Sequence, residues 1–260
     1  MTSISCKWRA AVAAPAAAAA LMIVTLGANA AEIKVLSSVA LASALDELAP
    51  VFERATGNKL VVDYGIAAQL RDRFLTGEAA DVLILTRPLM DDLQKQGKVT
   101  TGSLMNVGGT AVAVVVRAGA PKPDISSVEA FKRSLLSVKS VVYADPAKGG
   151  ASGVYFARVI DRLGLAEQLK PKTILVPGAQ AAEIVARGDA EMGIGQASEI
   201  VPVSGAQLLG PLPGEIGSLT VFTVGISPGT NTPEADKALI QFLTGPVAAP
   251  ILKAKGFEPQ

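Results

Sequence analysis

The chain has 260 residues, with 24 Lys and Arg against 23 Asp and Glu, one Cys and no His. This near-neutral balance provides no electrostatic footprint for nucleic acid or a membrane surface, and 4 % aromatic residues leave little material for stacking platforms. The lack of His removes the commonest general base and metal ligand, so neither a metal nor another cofactor is expected.

Residues 1–30 read as a secretory signal peptide. Lys7 and Arg9 provide a positive start, an apolar Ala-rich run follows to Gly27, and Ala28-Asn29-Ala30 has the small-x-small form of a cleavage site. Cleavage there leaves roughly 230 residues, with 22 basic against 23 acidic groups, and removes Cys6 and Trp8. The mature chain is then without thiols, and its expected location is the periplasm.

From residue 32 onward, short apolar strands alternate with amphipathic helices. The strand 33–36 precedes a helix whose Leu41, Leu45, Leu48 and Phe52 share one face, ended by Gly57. Strand 60–64, helix 67–75, strand 81–85 and helix 88–96 follow, then a β-branched strand at 112–116. Beyond the break at Pro121 and Pro123, the pattern predicts helix 128–137, strand 140–144, helix 154–163, strand 173–176, helix 179–186 and strand 191–195. A strand at 219–226 and helices at 233–243 and 247–255 complete the chain. Such alternation implies an α/β fold with a mostly parallel sheet covered on both faces. The β-rich stretches near 112–117 and 219–226 mark crossings between two lobes, giving lobe one as 31–112 plus 225–260 and lobe two as 113–224.

At four places a strand ends in small residues and a helix begins: Ser37-Ser38-Val39-Ala40, Gly65-Ile66-Ala67-Ala68, Gly149-Gly150-Ala151-Ser152-Gly153 and Gly178-Ala179-Gln180. Helix N-termini present unpaired N–H groups and the positive end of the helix dipole, and small residues let an anion approach them. Ligands of open α/β sheets lie at the carboxyl ends of strands, so these turns are candidates to converge on one small anionic ligand. Ser37, Ser38 and Ser152 are equally suited to capping alone. Arg87, directly after a strand, is either a fork for a carboxylate or a surface partner of Asp91. Gln196 ends another strand and has an amide to donate. Arg71 reads as a surface residue, and Asp81 and Asp145 as loop-orienting groups.

The segments ALASALDELAPVFERATG, LRDRFLTGEAADVLILTRPLMDDLQKQGKV, YADPAKGGASGVYFARVIDRLGL and VARGDAEMGIGQASEI resemble the periplasmic molybdate-binding proteins of ABC importers. The resemblance spans nearly the whole mature chain. It implies the type-2 periplasmic binding fold, with two α/β lobes, a two-segment hinge, an oxyanion held by neutral donors between the lobes, and an importer permease as partner of a monomer. It places the family's ligand serines at Ala40 and at Ala67 or Ala68, its backbone donors at Ser152 and near Gly178, and its ligand tyrosine at Gln196. The ligand site expected on both grounds is Ser38, Val39, Ala40, Ala67, Ala68, Arg87, Ser152, Gly153, Gly178, Ala179 and Gln196. With those hydroxyls absent, an organic di- or tricarboxylate suits the site better than molybdate.

The expected function is therefore solute binding without catalysis. A hydrolase using Ser152 or Ser38 would need a base, for which Lys148 is the available candidate, and Gly150-Ala151-Ser152-Gly153 is not a Gly-x-Ser-x-Gly elbow. A ligand sensor without a transporter would carry the same residues as a transport protein.

Overall fold

The computed structural model describes residues 30–258 together with Thr2. The export segment, including Cys6 and Trp8, otherwise lies outside the described residues.

The first half of the chain runs β1 (Glu32–Ser38), a single 3-10 turn (Val39–Leu41), α1 (Ala42–Thr56), β2 (Lys59–Gly65), α2 (Ala67–Leu75), β3 (Val82–Thr86), α3 (Arg87–Lys95) and β4 (Met105–Arg117). It continues with α4 (Val128–Ser137), β5 (Val141–Ala144), α5 (Ala151–Arg162), α6 (Ala166–Leu169), β6 (Thr173–Val176), α7 (Ala181–Arg187), β7 (Met192–Gln196) and α8 (Ala197–Ile200). The last elements are β8 (Ala206–Pro211), β9 (Leu219–Ile226), α9 (Pro233–Leu243) and α10 (Ala248–Ala254). Gly57 stops α1 in the left-handed region at φ 77°, which glycine adopts without steric cost.

The strands form one path, β2-β1-β3-β9-β4-β7-β5-β6, with β8 attached to β4. Within it lie two parallel trios, β2-β1-β3 and β6-β5-β7. They are joined by antiparallel strands, because β4 serves both: its 105–111 portion pairs with β9, and its 112–117 portion pairs with β7 and β8. β9 pairs with β3 and β4 along its whole length. Residues 219–224, assigned from the sequence to the second lobe, therefore run in the first half-sheet, and the return crossing lies before Leu219.

Each half is covered on both faces, as the apolar strands require. In the first, Leu41, Leu45, Leu48 and Phe52 of the α1 region pack with Ile33, Val35 and Ile84, while Leu70, Met90 and Leu93 cover Leu36, Leu83 and Leu85 on the other side. In the second, Phe131 and Phe156 cover Val112, Val114 and Ile194, and Val185 and Ile200 cover Val115 and Val142. Burying each such Leu, Val or Phe contributes about 1.5–3 kcal/mol.

Two strand segments were not legible in the sequence. The 105–111 portion of β4 contains Gly108 and Gly109, and its pairing slips between Asn106 and Gly108. β8 carries Gly210 and Pro211, and none of its residues is fully buried. Both lack the apolar run or alternation from which strands are read.

Candidate functional site

The small-residue turns gather at the carboxyl ends of the strands. Ser38, Val39, Ala67, Ser152, Gly178, Ala179 and Gln196 line one small cavity of about 30 Å³ between the two halves of the molecule, so a ligand larger than a water must part them to enter. Ile66, Ala144, Gly150, Ala151, Glu199 and Phe222 complete its wall.

Three other expected residues lie beside this wall. Ala40 is buried and donates its N–H to Ser38 Oγ at 3.4 Å. Ala68 lies against Gly149, where an added Cβ would come within 2.9 Å of the Ala68 methyl. Gly153 packs on the end of β5, where a Cβ would stand 2.0 Å from the Ala144 carbonyl oxygen.

Arg87 is the exception and corrects the sequence reading. Its Nε donates to Asp91 Oδ1 at 2.7 Å, one turn along α3, and a terminal nitrogen donates to Asn106 Oδ1 at 3.2 Å. It lines a different pocket, with Met105, Asn106, Leu243 and Thr244. The first residue of α3 leaves β3 on the side of the irregular stretch of β4, and an acceptor spaced at i+4 captures the guanidinium there.

No Lys or Arg lines the cavity; the donors it offers an anion are backbone N–H groups. α2 and α5 approach it from opposite halves, and neither has a side-chain cap. Their first intrahelical donors are Leu70 N, to Ile66 O at 3.0 Å, and Val154 N, to Gly150 O at 2.9 Å. The N–H groups of Ala67, Ala68 and Gln69, and of Ala151, Ser152 and Gly153, precede these bonds and have no partner within their helices. Ser38 caps its own turn, so its hydroxyl is already engaged with Ala40.

Gln196 ends β7 with 1 % of its surface exposed. Its Nε2 donates to Thr220 Oγ1 at 2.9 Å, so the expected amide donor is used within the protein. Gln196 and Glu199 form a capping box: the Gln196 side chain accepts from Glu199 N, and Gln196 N donates to Glu199 Oε2 at 3.2 Å. Burial pushes the Glu199 carboxyl up to about 7, with the nearby Glu183 adding to the rise and the Gln196 N–H opposing it.

The halves touch around the cavity. Gln69 Nε2 donates to Lys148 O at 3.3 Å, and Ser198 N donates to Thr110 Oγ1 at 3.1 Å. Among the described residues no cluster of three or more His, Cys, Asp or Glu side chains could hold a metal ion.

The wall residues that sequence reasoning did not select include Glu199 and Phe222. A Gln-x-x-Glu spacing at 196–199 carried the capping signal for the first; Phe222 sits in a strand read only as a crossing.

With this geometry in place, the model of the bacterial extracellular solute-binding proteins matches residues 33–258. The chain belongs to that family. Among relatives of these solute-binding proteins, the aconitate isomerase of Pseudomonas sp. is 35 % identical over 86 % of this chain and 87 % of the relative. The molybdate-binding protein of Escherichia coli K12 is 26 % identical over 93 % of this chain and 95 % of the relative. The solved periplasmic molybdate-binding protein of Azotobacter vinelandii superposes with a TM-score of 0.72 at 20 % identity, covering 88 % of this chain and all of the other. The two-lobe periplasmic binding fold expected from the sequence is thus the fold of this chain. The expectation of a protein without catalysis is corrected, because a relative this similar over most of both chains is named as an enzyme.

Proposed function

We propose that this chain is an exported protein that closes its lobes around a small unsaturated tricarboxylate of the aconitate class and isomerises it there. The observation that carries the reading is the pair of uncapped helix N-termini, α2 and α5, facing one cavity from opposite halves. Backbone N–H groups bind carboxylate oxygens without a cation, as a helix N-terminus does for any anion. By the sequence resemblance, the ligand serines of the molybdate-binding proteins fall at Ala40 and at Ala67 or Ala68, and of these Ala67 brings its methyl to the cavity wall. A tetrahedral oxyanion would lose about 1–3 kcal/mol for each donor missing, whereas a flat carbon skeleton packs against methyls and Phe222. The relative named aconitate isomerase supports both the substrate class and the reaction.

Calorimetric titration with cis-aconitate, trans-aconitate, tricarballylate and molybdate tests the binding, and proton NMR follows interconversion of the two aconitates. Micromolar or tighter tricarboxylate binding with conversion of one isomer into the other is expected. Nanomolar molybdate binding without a tricarboxylate response would overturn the reading.

The match to solute-binding proteins supports a second reading, delivery of the same ligand to an ABC importer permease. Ligand-dependent stimulation of the ATPase of a permease reconstituted in liposomes tests it. Export with cleavage after Ala30 predicts a mature protein whose first residue, by N-terminal sequencing, is Ala31.

A further inference from the structure

We infer that Glu199 is the group that takes a proton from the bound tricarboxylate and returns it during isomerisation. This rests on the isomerase reading above and adds to it the residue that performs the step.

Changing the geometry of a carbon–carbon double bond requires that the bond lose its double character for a time. In an aconitate, a methylene lies between the alkene and a carboxylate, and its hydrogens are acidified by both. Transfer of one as a proton to a carboxylate base breaks a C–H bond, forms an O–H bond, and spreads the electron pair over the three-carbon unit. Rotation follows, and the same carboxyl returns the proton to carbon. Nothing is oxidised or reduced, and no co-reactant is consumed. The step needs a base inside the closed cavity and a route by which that base exchanges protons with solvent.

Glu199 is the one acidic side chain in the cavity wall, and neither Lys nor Arg accompanies it. It lies in the first turn after β7, held by the bond from Gln196 N to its Oε2 at 3.2 Å. Glu199 also lines an outer groove of about 530 Å³ that shares Val39 and Ala179 with the cavity. It is thus the titratable group shared by the cavity between the halves and the more open outer groove, a position suited to passing a proton between them. Charged groups facing it there are Glu183 of α7, Asp46 and Glu47 of α1, and Lys255, whose Nζ bonds Glu47 Oε2 at 3.0 Å.

The rise of the Glu199 carboxyl to about 7 suits a group that must both accept and release a proton near neutrality.

Glu199→Gln keeps an oxygen to accept from Gln196 N and removes the base. With thermal melting as the check on folding, it is expected to bind tricarballylate within about fivefold of wild type. It is expected to lose at least 100-fold in aconitate interconversion and in exchange of the methylene hydrogens with D2O. Interconversion within tenfold of wild type by a folded Glu199→Gln protein would overturn the assignment and leave the isomerase reading standing. Wild-type protein that binds aconitate but neither interconverts nor exchanges it would overturn both. Glu183→Gln gives a measurement independent of that variant: the pH–rate profile should rise at lower pH than in wild type, since a negative neighbour of the base is gone. An unshifted profile would also overturn the assignment.

Discussion

A methyl group on Gly153 would stand 2.0 Å from the Ala144 carbonyl oxygen and 2.7 Å from its carbon, so this glycine is required by close helix–strand approach. Neither backbone can yield without moving the first turn of α5 away from the cavity. Gly153→Ala should therefore cost about 3 kcal/mol or more, read as a lowered melting temperature, and should weaken tricarboxylate binding. Arg87→Ala should lose only the about 0.3–0.5 kcal/mol typical of an exposed i,i+4 pair, and titration should find ligand affinity unchanged. Glu199 ties stability to pH. Its carboxyl is raised in the folded protein to about 7 from 4.5. Ionisation is thus disfavoured by folding, and stability should be greatest below about 4.5, fall as pH rises toward 7, and level off above that. The shift corresponds to at most about 3.5 kcal/mol at about 1.4 per unit. Denaturant melts of Glu199→Gln should lack this component and be more stable than wild type at pH 8 but not at pH 4. In the sequence, Glu199 was visible only as the fourth residue of Gln-x-x-Glu, since burial that moves a carboxyl is a property of the assembled site.

At the scale of elements, strand–helix alternation and small residues after strands were legible, and they located the turns that form the cavity. The pattern could not say that α5 begins at Ala151, three residues earlier than apolar periodicity suggests. This start places Ser152 and Gly153 in its first turn. Nor could it say which strand end faces the cleft. β3 ends in a helix start much as β2 does, yet Arg87 turns toward Asn106 while Ala67 lines the cavity. Sheet order decides this, and it is fixed by pairings between residues more than a hundred positions apart, such as Val82 with Ile226. If the uncapped start of α2 holds the ligand, Ala67→Asp should abolish binding. The new carboxylate would suit the helix N-terminus, worth about 0.3–1 kcal/mol, while repelling an anion. Calorimetry showing wild-type affinity in this variant would remove α2 from the site.

For the whole molecule, the two-lobe plan was legible from the paired crossings, but the dual membership of β4 was not, because glycines interrupt its first half. The C-terminal segment closes on that stretch: Gly109 N donates to Glu258 O at 2.9 Å, and Glu258 N donates to Gly109 O at 2.7 Å. Phe257 packs with Phe222 in the same core. Removing residues 257–260 should lower the melting temperature and weaken ligand binding together, as thermal shift with and without tricarballylate would register. The shared strand also limits how the jaws can part. A 13-residue ribbon sewn into both sheets cannot slide, so gaping must come from twist distributed along it, with the chain's tail clamped beside the axle. A tag fused beyond Glu258 would be attached next to that axle, so ligand affinity measured with it in place should differ from that of the untagged protein.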